Sequence, residues 1–377
     1  MPDTLPPCIF VDSVAAWNTC LEELQQVQQF AIDLESNGLF AYRERICLIQ
    51  ISTHAHDYII DPLSEIDLAP LVTLIENPKI EKILHASEYD LILMKREHDW
   101  DMHNLFDTMW AARLIGYEKI GLASMLNALY GMKIDKKFQR ANWCERPLSK
   151  GQLDYAQTDT HYLFQLRDDL EDMLAGMGRY DELIEIFEEQ AKVRLPDVDF
   201  SAEAFWQIQG MRDLTPRGRA ILRELNIMRN EIAKRRNRPP FKVFGNHTLL
   251  EIADIAPQRM QQLTPITGLR QHNISRYGRR ILAAVQKGKK APIPKKPARI
   301  KQHSDAVSAR YETLHKWRKA YARQRGVASD VILTRETMWD IAIANPRSAA
   351  DLSAITSFGP VRRKLYGAEV LSVLRGK

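Results

Sequence analysis

FAIDLESNGLF, residues 30–40, sets two carboxylates, Asp33 and Glu35, inside an apolar run. Phe30, Ile32 and Leu34 alternate with them as in a strand, where residues i and i+2 share a face. Asp33 and Glu35 then stand side by side. Adjacent like charges on a half-buried strand repel and lose hydration. Two readings stay open: a strand end with its acids in solvent, or an acid pair compensated by a cation. A hard divalent metal suits the second.

RICLIQIS (45–52), DYIID (57–61) and EKILHA (81–86) are further β-branched or apolar runs that read as strands. Short links join FAIDLES to the next two, and Asn37-Gly38 marks a turn, so an antiparallel meander is expected. Helical patterns follow in LAPLVTLIEN, SEYDLILMKREH, DTMWAARLIG and LASMLNALYG, then over residues 150–174 and LIEIFEEQAKV. This predicts an α/β or α+β domain over residues 1–195, with LPDVDF (195–200) as a linker.

The rest is helical and repeats at an offset of 89. Arg229 meets Arg318, Arg236 meets Arg325, Thr248 meets Thr337, Ile266-Thr267 meets Ile355-Thr356, and Tyr277-Gly278 meets Tyr366-Gly367. No gap is needed, so a small helical domain is duplicated. The copies are expected at 205–288 and 303–377, joined by a Lys/Pro-rich linker at 289–302.

With 377 residues the chain has the length of two or three domains. Its 45% hydrophobic and 27% charged residues are ordinary for a globular protein. No run approaches the roughly 18 apolar residues of a membrane span, which argues against a membrane partner. MPDTLPPCIFVDSV (1–14) lacks the basic and apolar segments of a signal peptide. Cys8, Cys20, Cys47 and Cys144 lie far apart without a C-x-x-C pair, and are expected to be reduced thiols of a cytoplasmic protein.

The net charge of +5 conceals a polarity. Residues 1–200 hold 18 Lys+Arg and 35 Asp+Glu, net −17, while residues 201–377 hold 35 and 13, net +22. A catalytic body beside a module that grips a polyanion is the expected arrangement. Arg229, Arg235, Arg236, Arg276 and Arg279 are candidate phosphate contacts. A solvated helix face is the alternative for each.

Two more acids join the opening pair. In LHASEYDLILMK (84–95), Ser87 is expected to cap a helix whose first turn holds Asp90. In QLDYAQTDTHYLF (152–164), Tyr155 and Asp159 are four apart on one helix face, with Asp154 on another. The four acids could converge at one end of a sheet. Taken singly, Asp90 could serve the helix dipole, and Tyr155 and His85 could be core side chains.

Here the chain resembles a family. AIDLES, LHASEYDL and LDYAQTD are similar, in order, to the three motifs of DEDD-type 3′→5′ exonucleases of the tyrosine subclass. NWCERPLSKGQLDYAQTD (142–159) resembles the ribonuclease D family, and the duplicated domain resembles its tandem HRDC domains. Asn142 departs from the acidic residue expected before Trp143. The resemblance implies a ribonuclease H-like mixed sheet flanked by helices, followed by two all-α HRDC-like domains. It implies catalysis by Asp33, Glu35, Asp90, Tyr155 and Asp159, with two divalent ions, Mg²⁺ or Mn²⁺. Asp33, Glu35 and Asp159 would hold one ion, Asp33 would bridge to the other held by Asp90, and Tyr155 would orient the attacking water. The expected activity is release of nucleoside 5′-monophosphates from RNA 3′ ends, in tRNA precursors or other structured RNA with 3′ tails, by a monomer. Rival readings are a DNA exonuclease and an inactive nucleic-acid-binding protein; the intact acids and Tyr155 argue against the latter.

Overall fold

A computed structural model describes residues 5–192, 194–196, 199–295 and 303–376. It forms two compact units: residues 1–35, 46–195 and 301–377 make the first, and residues 36–45 and 196–300 the second.

The first unit is built on a mixed six-stranded sheet. Its strands are β1 (Ile9–Val11), β2 (Gln29–Ser36), β3 (Ile46–Ser52), β4 (Asp57–Ile60), β5 (Glu81–Leu84) and β6 (Leu105–Asp107), in the order β1-β4-β3-β2-β5-β6. β3 and β4 are antiparallel, as the meander predicts; β1 pairs parallel with β4, β2 with β5 and β5 with β6. β1 and β6, three residues each, are too short for a period-two pattern to reveal.

The α-helices that accompany the sheet among the described residues are α1 (Val14–Leu24), the short α2 (Val72–Ile75), α3 (Glu88–His98), α4 (Thr108–Ile115), α5 (Leu122–Tyr130), α6 (Lys150–His161), α7 (Leu163–Gly176) and α8 (Tyr180–Gln190). The stretch at 150–174 is therefore two helices that part at Tyr162. One apolar layer gathers Leu24, Phe30, Ile32, Ile51, Ile83, Leu114 and Leu166. A smaller one, with Cys47, Leu48, Ile59, Trp143 and Ala156, fills the space between the sheet, α6 and the segment before it.

The duplication is visible element by element. In the second unit, α9 (Pro216–Arg235), α10 (Pro240–Val243), α11 (Asn246–Ile255) and α12 (Gln271–Lys290) surround one core. In the first unit, α13 (Asp305–Arg325), α14 (Ser329–Ile332), α15 (Arg335–Ala344), α16 (Ala349–Ser353) and α17 (Pro360–Leu374) surround another. α10 and α11 reappear as α14 and α15 at the offset of 89. α12 runs on to Lys290, so the segment expected as a linker begins inside a helix; its residues 296–302 lie outside the described residues.

The second helical copy is packed into the catalytic body. Val331 of α14 belongs to the core of the sheet domain. Arg325 bonds both oxygens of Glu182 on α8, at 2.8 and 2.5 Å, and Tyr366 also reaches that carboxylate. Arg362, 1% exposed, donates Nε to Glu185 at 2.8 Å and also pairs with Glu189. Glu185 accepts the backbone N–H groups of Val361 (2.6 Å) and Arg362 (3.2 Å) as well, so an anion sits at the N-terminus of α17. Gly359 is required there, because a Cβ would fall 2.1 Å from the Glu185 carboxyl carbon. Part of the basic excess of the back half thus neutralises acids of the front half.

The cysteines correct the expectation of four free thiols. Cys47 on β3 and Cys144 form a disulfide with Cα atoms 5.0 Å apart, while Cys8 and Cys20 are free. The two are 97 residues apart in the chain, a pairing that spacing could not reveal.

Candidate active site

Asp33 and Glu35 lie on β2 with partly exposed side chains, while Phe30, Ile32 and Leu34 are buried, as alternation predicts. α6 brings up Asp159. Its first turn is fixed by a capping box: Ser149 accepts from Gln152 N, and Gln152 accepts from Ser149 N. Further along α6, His161 and Gln157 bond the buried carboxylate of Asp57 at 2.8 and 2.6 Å, and Ser52 donates to it at 2.5 Å. These bonds, and the electrostatic pull of the His161 ring, hold Asp57 below the usual carboxylate range against its burial. They set the rotation of α6 about its axis, and Tyr155 and Asp159 share the resulting face. Asp154 is exposed.

Asp33, Glu35 and Asp159 each offer an oxygen within 4.8 Å of the others. Asp90, on the first turn of α3, is 6% exposed and acts electrostatically on Glu35. Burial pushes Asp33 up to about 7. Burial first, then repulsion by Asp33, Asp159 and Asp90, pushes Glu35 up to about 10. Asp90 and Asp159 are raised too, chiefly by burial and then by Asp33. Among the described residues no Lys or Arg is paired with any of the four. An all-oxygen, carboxylate-rich set with unneutralised charge fits a hard divalent cation. Burial and the nearby acids raise the Tyr155 hydroxyl, so it stays protonated at neutral pH.

The cleft lined by Asp33, Glu35, Tyr155 and Asp159 has a volume of about 410 Å³ and is also lined by His85, Lys136 and Gln139. Tyr155 is held from behind by Trp143, with ring centroids 5.9 Å apart, and by the edge of Phe138 at 6.4 Å. Arg146 secures that segment: its guanidinium grips Asp61 at 2.6 and 2.7 Å and bonds the carbonyls of Cys47 and Trp143.

Ser87 is not the side-chain cap expected. Its hydroxyl donates to Asp107 at 2.8 Å, and Asp107 also accepts from the backbone N–H of Ala86, Ser87 and Met109. Asp107, fully buried, thereby holds Ala86 at a positive φ of 64° just before Asp90. His85 Nδ1 contacts Thr108 Oγ1 at 2.9 Å; Thr108 in turn donates to Leu84 O. Asp107, Lys136 and Gln139 carry no sequence motif and were not anticipated.

The five arginines named as phosphate contacts divide. Arg235, Arg276 and Arg279 are exposed. Arg236 bonds the Tyr277 hydroxyl, and Arg325 bonds Tyr366 in the other copy, so this contact belongs to the helical fold itself. Arg229 is 7% exposed and its guanidinium is turned inward. Arg229 is thus turned into the helical core and the head group of the half-buried Arg236 is engaged by Tyr277, whereas the other three face solvent.

Residues 8–175 match the 3′-5′ exonuclease family, and residues 218–285 and 307–374 each match the HRDC domain. Ribonuclease D of Nitrobacter hamburgensis is 29% identical over 352 residues, 92% of this chain and 90% of that protein. The exosome complex component 10 homolog of Caenorhabditis elegans is 28% identical over 309 residues, 81% of this chain; the chain spans only 35% of that relative's length. The crystal structure of Escherichia coli RNase D, an exoribonuclease involved in structured RNA processing, shares the fold with a TM-score of 0.70 at 22% identity, covering 98% of this chain and 99% of that one. The chain thus carries a 3′-5′ exonuclease domain followed by two HRDC domains, an organisation similar to that of ribonuclease D.

Proposed function

We propose that this chain is a 3′→5′ exoribonuclease that hydrolyses the terminal phosphodiester of structured RNA, such as tRNA precursors with 3′ tails, and releases nucleoside 5′-monophosphates. The observation that carries the reading is the set of Asp33, Glu35 and Asp159 oxygens within 4.8 Å of one another, with Asp90 acting on Glu35 and, among the described residues, no Lys or Arg paired to them. These four side chains would hold two divalent ions, Mg²⁺ or Mn²⁺. When bound, such ions stabilise the charge on the attacking and leaving oxygens of an in-line displacement.

The chain's own groups do the rest. The carboxylates bind and orient. Tyr155, kept protonated, donates its hydroxyl hydrogen bond and positions the attacking water instead of taking its proton. Trp143 and Phe138 fix the ring that carries it. Lys136, on the cleft wall, offers a positive charge to the substrate phosphates. Arg235, Arg276 and Arg279 supply sequence-independent contacts to the RNA backbone. The protein acts as a monomer. No helix of the described residues is long and apolar enough to cross a membrane.

The test uses 5′-labelled RNA and DNA of matched sequence with Mg²⁺, Mn²⁺ or EDTA. RNA should shorten stepwise from its 3′ end, mononucleotides should appear, and EDTA should stop the reaction. Preference for DNA, or cleavage in EDTA, would overturn the proposal.

A further inference from the structure

The second unit contains a pocket of about 340 Å³ that the carboxylate cleft does not explain. Arg229, Asn226, Asn230 and Asn246 form its polar side, and Ile208 and Pro240 are among its apolar lining. Phe200, 39% exposed, adds an aromatic surface.

Arg229 is a buried cation with no carboxylate partner among the described residues. Its Nη1 donates to Phe244 O (3.0 Å) and Asn246 Oδ1 (2.8 Å), its Nη2 donates to Asn226 Oδ1 (2.9 Å), and its Nε has no partner. Burial alone pulls its guanidinium down to about 10. A desolvated charge left with neutral partners is costly, and an anion relieves it.

The amides point the same way. The Asn226 and Asn246 oxygens are taken by Arg229, and the Asn230 oxygen accepts from the Tyr42 hydroxyl at 2.8 Å. What the three asparagines can still offer is N–H. A pocket with a guanidinium and amide donors favours a ligand rich in acceptors.

The duplication separates fold from function here. Arg318, the counterpart of Arg229, makes the same bond, to Leu333 O at 2.7 Å. That contact is therefore part of the helical fold. The amides are not: at the offset of 89, Asn226, Asn230 and Asn246 become His315, Lys319 and Arg335. At these three positions the amides are confined to the first copy.

We propose that this pocket binds a single nucleotide, with its phosphate against Arg229, its base edge among the asparagine amides and its base face on the apolar side. Asparagine amides suit base edges, and a ring such as Phe200 suits base stacking. The nucleotide comes either from a bound RNA or from solution.

The test is calorimetric titration of the full chain, in EDTA, with AMP, adenosine and inorganic phosphate. EDTA removes metal-dependent binding at the carboxylate cleft, so failure here is distinct from failure of the exonuclease reading. AMP should bind saturably, and adenosine and phosphate each at least tenfold more weakly. Asn246→Leu, at an exposed position, and Arg229→Lys should each weaken AMP at least tenfold while thermal melting of Asn246→Leu stays near that of the parent. A parallel titration with tRNA carrying a 3′ tail separates the sources: a matching loss assigns the nucleotide to bound RNA, and an unchanged RNA affinity assigns it to free nucleotide. No saturable AMP binding, AMP binding untouched by Asn246→Leu, or phosphate binding as tight as AMP would overturn the proposal.

Discussion

Asp33 and Glu35 stand one pleat apart on β2, and without a cation their protons are held far above the usual carboxylate range, at about 7 and about 10. An acid whose folded pKa is raised contributes stability in full only below its unfolded value, about 4. That contribution is lost as pH rises through the folded values. The metal-free protein should therefore weaken between about pH 4 and the folded pKa of each group, and a divalent cation should restore it. Thermal melts with Mg²⁺ or EDTA at pH 5 and pH 8 check this: the Mg²⁺-induced rise in Tm should be larger at pH 8, and equal rises would contradict it. Tyr155→Phe removes only the hydroxyl, so turnover should fall by about 10²–10⁴-fold while RNA affinity, measured by fluorescence anisotropy, changes little. An unchanged rate would make Tyr155 a core aromatic. The pairs Asp33–Glu35 and Tyr155–Asp159 were legible in the sequence because strand and helix periods place i+2 and i+4 neighbours together. Asp107 was not: it lies 17 residues beyond Asp90, and its work is done through backbone N–H groups that leave no pattern.

At the scale of elements, the positioning of α3 depends on that clasp. Asp107 accepts from Ala86, Ser87 and Met109, so Asp107→Ala leaves several buried donors unsatisfied. A loss of about 3 kcal/mol in urea unfolding is expected, against about 1 kcal/mol for Ser87→Ala, which removes one bond. Near-equal losses would mean the clasp is not what holds the turn. The long strands β2 and β3 and the amphipathic helices were readable from composition and period. β1 and β6 were not, since three residues carry no period and edge pairing supplies what the sequence leaves unspecified. The repeat was readable because α10 and α11 recur as α14 and α15 without a gap.

At the scale of the molecule, the charge polarity of the sequence was correctly counted but has two uses. Arg276 and Arg279 stay exposed, where the proposed function needs them, while Arg325 and Arg362 are consumed by Glu182 and Glu185 inside the first unit. Linear charge counts cannot separate these, because burial decides which cations reach solvent. Arg362→Met should strand Glu185 and cost about 3–5 kcal/mol in chemical denaturation; a loss below 1 kcal/mol would make the second HRDC domain a loosely attached module. A chain cut near Asp199 is accordingly a poor test of RNA gripping, since it also strips Val331 from the core of the sheet domain. The most direct test of the central claim is trimming of 5′-labelled RNA by the full chain with Mg²⁺, comparing the parent with Asp33→Asn. The parent should yield a ladder receding from the 3′ end, and Asp33→Asn should bind the RNA, melt at least as high in EDTA, and yield none. Near-parental trimming by Asp33→Asn would contradict the account.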